Sequence, residues 1–198
     1  MTDERVLVQR LQSGEPAAFR ELVDRYKRQV YHVAYDLSGN HHDAEDISQE
    51  VFIKAYRGIG GFRSSARLGS WLHRITMNAF IDSRRKKATR MVTLVNRNDD
   101  GDFDPLEAAG DDRIADPEKT AASKKMAEHV DEALERLSEK ERIVFVMRHY
   151  HDMSLKEISR SLDIAEGTVK SLLFRSIRKL REYLSFYREE LGLEDTQR

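Results

Sequence analysis

Ser154-Leu-Lys-Glu-Ile-Ser-Arg-Ser-Leu-Asp-Ile-Ala-Glu-Gly-Thr-Val-Lys-Ser-Leu-Leu-Phe-Arg175 decides the fold of this chain. Leu155, Ile158 and Leu162 recur at helical spacing behind a serine that has a glutamate three residues on. That is a capping box, in which serine and glutamate satisfy each other's amides at a helix start. Asp163-Ile-Ala165 turns the chain, and Gly167 with Thr168 opens a second series of Val169, Leu172 or Leu173, Ser176, Leu180 and Leu184. Two short helices joined by a tight turn make a helix-turn-helix. The face opposite the second series holds Lys170, Ser171, Phe174, Arg175 and Arg178, and five basic residues but no acid lie between Lys170 and Arg181. Such a helix can enter a major groove, offer Lys, Ser and Arg to base edges and neutralise phosphates. A solvated face is the commoner meaning of a charge run. Phe174 weighs against it, because a ring on a polar face suits a partner such as a thymine methyl.

Helical spacing extends outward from this motif. Ser138-Glu-Lys-Glu141 is a second capping box, with a helix expected over Met126 to Leu137 before it and over Ile143 to Tyr150 after it. Near the start, Ala18, Phe19, Leu22, Val23, Tyr26 and Val30 form a stripe behind Pro16, which suits an early helix position. Ala44, Ile47, Val51 and Ala55 form another, led by Asp43, Glu45 and Asp46, acids that favour a helix N-terminus. Leu68, Trp71 or Leu72, Ile75 and Ala79 form a third. Alternation with period two never persists, so no strand is expected. From about Thr89 to Lys119 the regularity lapses; Pro105, Pro117, Gly101 and Gly110 fall here, and residues 98–118 carry nine acids against Arg113 alone. The expected fold is all-α: two small helical domains, residues 1–87 and 121–188, a flexible acidic linker at 88–120 and a tail at 189–198.

The 198 residues suffice for one large domain or two small ones. A formal charge of −1 conceals the −8 of residues 98–118 and therefore +7 over the rest of the chain. The absence of cysteine excludes disulfides and thiolate metal sites and is compatible with a reducing cytoplasm. Met1-Thr-Asp-Glu-Arg5 lacks the basic-then-apolar form of a signal peptide, and no apolar run approaches the roughly 20 residues that span a bilayer. A soluble, cytoplasmic protein without membrane insertion is expected.

A second candidate nucleic-acid surface lies in the N-terminal domain. Arg74, Asn78, Asp82 and Arg85 run along one side of the helix that contains Trp71, followed by Arg84-Arg-Lys-Lys87. Before it comes the small-residue stretch Gly58-Ile-Gly-Gly-Phe62-Arg-Ser-Ser-Ala-Arg67. Aromatics beside cations suit single-stranded DNA, with bases stacked on rings and cations following the backbone, and the loop could receive a base turned out of the duplex. The same residues equally fit a core tryptophan and a basic helix C-terminus stabilised by its dipole.

Taken together, Asp43-Ala-Glu-Asp-Ile-Ser-Gln-Glu-Val-Phe-Ile-Lys-Ala-Tyr56, Phe62, the Trp71-Leu-x-Arg-Ile-x-x-Asn78 pattern, Gly167-Thr-Val-Lys-Ser171 and Phe174-Arg175 strongly resemble the bacterial extracytoplasmic-function (group 4) sigma factors. The resemblance keeps the order of motifs over nearly the whole chain. It implies a region 2 domain, a variable linker and a region 4 domain. It further implies docking of Asp46, Gln49 and Glu50 on the clamp helices of the polymerase β′ subunit. Phe62, Trp71, Arg74 and Asn78 would open and read a −10 element, with Arg84 and Arg85 as phosphate contacts. Thr168, Lys170, Ser171, Phe174, Arg175 and Arg178 would read a −35 element. Leu172 stands where some relatives have a basic residue. The implied partners are core RNA polymerase, through the β′ clamp helices and the β flap, promoter DNA and an anti-sigma factor; the implied action is binding, not catalysis.

Other constellations carry less. His41-His-Asp43 with Glu45 and Asp46 places adjacent ligands at a helix start, where they converge poorly on a metal. His149-Tyr-His151-Asp152 suits a solvated turn, and Met126, Val130, Leu134 and Leu137 suit a core stripe. No nucleophile elbow, P-loop or dinucleotide signature occurs, and no cofactor or metal is expected. The rival reading is an autonomous helix-turn-helix regulator that binds an operator without polymerase. The Asp46, Gln49 and Glu50 face separates the two, because only a polymerase subunit needs it.

Overall fold

The computed structural model describes residues 2–62, 67–95 and 121–185. In chain order its helices are α1 (Thr2–Gln12), α2 (Pro16–Ser38), α3 (His41–Gly58), a 3-10 turn (Ile59–Gly61), α4 (Leu68–Val95), α5 (Ala121–Glu135), α6 (Glu139–His149), α7 (Leu155–Leu162) and α8 (Glu166–Tyr183). No strand occurs among the described residues. Contacts divide the chain into two units, Met1–Asp111 and Asp112–Arg198.

In the first unit α2, α3 and α4 pack on one another, and α1 lies against α2 and the 3-10 turn. Pro16 starts α2, and Gly39 ends it in the left-handed conformation at φ 82°, its N–H donating to Tyr35 O at 2.8 Å. Asn40 then caps α3, its side chain accepting the Asp43 N–H at 2.8 Å. Each stripe seen in the sequence points inward. Ala18, Leu22 and Val30 are buried on α2, and Ala44, Ile47, Val51 and Ala55 on α3. Leu68, Leu72, Met77, Ala79 and Phe80 are buried on α4. Full burial of one large apolar side chain contributes about 1.5–3 kcal/mol.

Two features of this unit differ from expectation. No stripe noted in the sequence marks α1, yet Leu7, Val8 and Leu11 are buried and hold it to the bundle. Arg10 fastens its end to α2, donating to Glu15 at 2.8 and 2.9 Å and to Glu21 at 2.8 Å. Helix α4 also runs on to Val95 instead of lapsing near Thr89. Residues 88–95 contain neither glycine nor proline, so nothing interrupts the hydrogen-bond ladder there. The acidic stretch from residue 98 and the tail from 189 lie outside the described residues.

In the second unit α8 packs against α5, α6 and α7. Ala133, Leu134, Leu137 and Leu180 form one buried cluster, with Val130, Phe145 and Leu184 packed on it. Ile143, Val144, Met147, Ile158, Val169 and Leu172 are buried as well. Both expected capping boxes form. At α7 the Glu157 amide donates to Ser154 Oγ at 3.2 Å while the Ser154 amide donates to the Glu157 carboxylate at 2.9 Å. Asp163 ends α7 in the left-handed region at φ 53°, a conformation that short polar side chains tolerate. Ser159 Oγ donates to Ile164 O at 2.6 Å across the turn. The helix-turn-helix is thus present, with α8 beginning at Glu166.

Candidate nucleic-acid interfaces

Helix α8 separates its two faces cleanly. Val169, Leu172, Ser176 and Leu180 are buried, whereas Thr168, Lys170, Ser171, Phe174, Arg175 and Arg178 are all exposed. Phe174 is 68% exposed, more than any other large apolar side chain among the described residues. A phenyl ring left in water while nearby Leu172 is buried marks a surface that gains by being covered. The hydroxyl of Ser171 donates back to Gly167 O at 2.9 Å, a bond that a base-edge acceptor can replace. Leu172 is 5% exposed and belongs to the core. The side chain is therefore packed on the buried face and takes no part in the exposed one.

Behind this helix stands a buried carboxylate. The Glu141 side chain is 4% exposed and lies 2.8 Å from Lys179 Nζ and 3.7 Å from Arg175 Nε. It also accepts from Ser138 N at 3.0 Å and Ser138 Oγ at 2.9 Å. Burial alone would push this carboxyl up; the Lys179 and Ser138 bonds outweigh it and hold the pKa below its ordinary value. The cap of α6 is in this way tied to two cations of α8, one of them on the exposed face.

In the first unit, Arg74, Asn78, Asp82, Arg84 and Arg85 are exposed along α4. Trp71 is half-buried and packs on Phe62, ring centroids 5.0 Å apart at 51°. Phe62 itself is only 7% exposed. It supports the indole from below and is not an open ring on a loop; residues 63–66 lie outside the described residues. Lys87 is engaged with Asp43 at 2.6 Å, joining α4 to the start of α3. Burial pushes the Asp43 carboxyl up, but its bonds to Lys87 and Asn40 prevail and lower it. Lys54 lies 2.8 Å from Asp82 and 3.6 Å from Glu50.

On α3, Asp46 and Gln49 are exposed and Glu50 is half-exposed, on the side away from Ala44, Ile47 and Val51. Ile53 extends this face by one turn at 45% exposed. The structure thus groups the three docking candidates on one helix, the Trp71 series on the next, and the Lys170 series on α8. The sequence reading took Glu141 only as a cap and left Lys54 unassigned, although the Ser-x-x-Glu pattern marked the former. Among the described residues, no group of three or more His, Asp or Glu could hold a metal, and no helix is long and apolar enough to cross a membrane.

Comparison with known proteins matches the chain to two families: Sigma-70 region 2 over residues 22–90 and Sigma-70, region 4 over residues 127–180. The chain is 33% identical over 178 residues to the ECF RNA polymerase sigma factor SigW of Bacillus subtilis, covering 89% of this chain and 94% of that protein. It is 33% identical over 184 residues to the ECF RNA polymerase sigma-E factor of Escherichia coli, covering 89% and 91%. Its fold is similar to that of the sigma factor RpoE in complex with the anti-sigma factor NepR from Bartonella quintana, with a TM-score of 0.64, 22% identity, and coverage of 84% of this chain and 96% of that one. With its two helical units and these relatives, the chain belongs to the ECF RNA polymerase sigma factors.

Proposed function

We propose that this chain, as an alternative sigma factor, binds core RNA polymerase, directs it to promoters and favours the melted state. It is a transcription initiation factor and not an enzyme. The observation that carries the division of labour is the separation of faces on α8. One side is fully packed, and the other offers Lys170, Ser171, Phe174, Arg175 and Arg178 to a duplex. Thr168 lies at the edge of that surface, and together these residues read a −35 element. Trp71, supported by Phe62, with Arg74 and Asn78, captures unpaired bases of a −10 element, and Arg84 and Arg85 hold phosphates. A binder shifts an equilibrium only by preferring one state, and here the preferred state is the open strand.

Asp46, Gln49 and Glu50 dock on the β′ clamp helices, and the region 4 unit meets the β flap. A first domain that runs to the end of α4 at Val95 and a second at 121–188 fit this division, with the acidic linker between them threading the polymerase where RNA later passes. The protein acts in the cytoplasm, and an anti-sigma factor restrains it. In vitro transcription with core polymerase and a genomic promoter library tests the reading. Protein-dependent transcripts that share two spaced upstream motifs are expected. Tight binding to duplex DNA together with no binding to core polymerase would refute it and establish an autonomous regulator.

A further inference from the structure

Nothing in the function described above uses α1, and the match to region 2 begins at residue 22, beyond it. Yet α1 holds the chain on both flanks of the segment that leads from the 3-10 turn into α4. At the first flank Gln12 Nε2 donates to Ile59 O at 3.1 Å and to Phe62 O at 2.9 Å. Both amide protons are used, so a side chain lacking two donors cannot replace it. At the second flank the Glu4 carboxylate accepts the backbone N–H of Leu68, the first residue of α4. That amide has no partner within its own helix, and an anion is favoured there by the helix dipole.

Gln12 and Glu4 are separated by roughly 12 Å of helix rise, and Leu7, Val8 and Leu11 fix that helix to the bundle. The indole of Trp71 rests on what they hold. Its ring packs on Phe62, and a Cβ at Gly58 would lie 3.5 Å from Trp71 Cζ2. We propose that α1 is a brace for Trp71, with Gln12 and Glu4 as positioning residues for promoter opening. This rests on the reading of Trp71 as part of the −10 surface.

Trp71 is the chain's single tryptophan, so its fluorescence reports the brace directly. Gln12→Met keeps the side-chain length but removes both donors, and Glu4→Ala releases the other flank. Each variant should retain its helical circular dichroism and its affinity for core polymerase, while Trp71 becomes more readily quenched by acrylamide. In holoenzyme, 2-aminopurine placed in the −10 element should show the open-to-closed ratio falling by about fivefold or more, fivefold being the weight of one net hydrogen bond and Gln12→Met losing two. Unchanged quenching in both variants overturns the brace. Raised quenching with undiminished opening overturns the positioning role. Trp71→Ala holenzyme serves as the control: normal opening in that variant overturns the reading of Trp71 itself, which the quenching result does not touch. Should Gln12→Met fail to fold, Glu4→Ala carries the test from the opposite end of α1.

Discussion

Replacing Glu141 with glutamine should destabilise the second unit without touching the first. The substitution keeps an oxygen to accept from Ser138 N but removes the charge that Lys179 Nζ approaches at 2.8 Å. A hydrogen bond to a charged group contributes about 1.5–3 kcal/mol. The Lys179 side chain is 37% exposed and regains water, which selects the lower part of that range, about 2 kcal/mol. For a unit of this size the urea slope is about 1 kcal/mol/M, so the midpoint should fall by about 2 M. The chain supplies its own control, because Trp71 lies in the first unit. Urea unfolding followed by far-UV circular dichroism should show the shifted component, while the Trp71 fluorescence transition stays in place. The effect also has a pH signature. The folded carboxyl titrates below its ordinary value of 4.5, so its contribution is complete above that pH and disappears as the pH falls through the lowered value. The gap between parent and Glu141→Gln should therefore close in acid. A circular-dichroism shift below about 0.5 M at neutral pH, or a gap that persists in acid, would refute the reasoning.

Phe80→Ala removes a fully buried ring from the first unit, leaving a cavity, and should cost about 3–5 kcal/mol, seen as an earlier Trp71 fluorescence transition in urea. Glu50→Arg reverses a half-exposed charge and should weaken core-polymerase binding about tenfold, or 1.4 kcal/mol, with that fluorescence transition little changed; titration against labelled core measures it. On −35 duplex DNA, Phe174→Ala should lower affinity and leave the salt slope unchanged, because it removes an apolar contact. Lys170→Ala should instead reduce the slope by about 1, as expected for one lost phosphate contact.

What was legible in the sequence follows from the range over which each feature is determined. The two faces of α8 could be assigned in advance because the 3.6-residue period settles inside and outside within one helix. The same holds for Ala44, Ile47, Val51 and Ala55 on α3. The capping boxes were legible because their partners are three residues apart. Helix α4 was harder. It carries buried residues on more than one side, including Thr76, whose hydroxyl donates to Leu72 O at 2.9 Å, so no single stripe marked where it ended. The burial of Phe62 was not legible, since its ring packs on Trp71 of the next helix and its carbonyl is held by Gln12, 50 residues away. The pairs Lys54–Asp82 and Glu141–Lys179, separated by 28 and 38 residues, have no local signature either.

The Lys54 pair bears on how an aspartate can stand in the proposed −10 surface. Asp82 lies on α4 between Asn78 and Arg85, where an uncompensated carboxylate would repel phosphates. Lys54 reaches it from α3 at 2.8 Å, so the exposed side of α4 presents Arg74, Arg84 and Arg85 beside an acid already matched within the fold. An exposed pair of this kind contributes about 0–1 kcal/mol to stability, so its effect on the bundle is small. Its effect on the local field is larger, because it offsets the carboxylate that would otherwise weaken the positive potential of Arg74, Arg84 and Arg85. The same ammonium lies 3.6 Å from Glu50, on the proposed docking face. One cation thus sits between Glu50 of the proposed docking face and Asp82 of the proposed −10 surface, and the spacing of α3 from α4 is what lets it reach both.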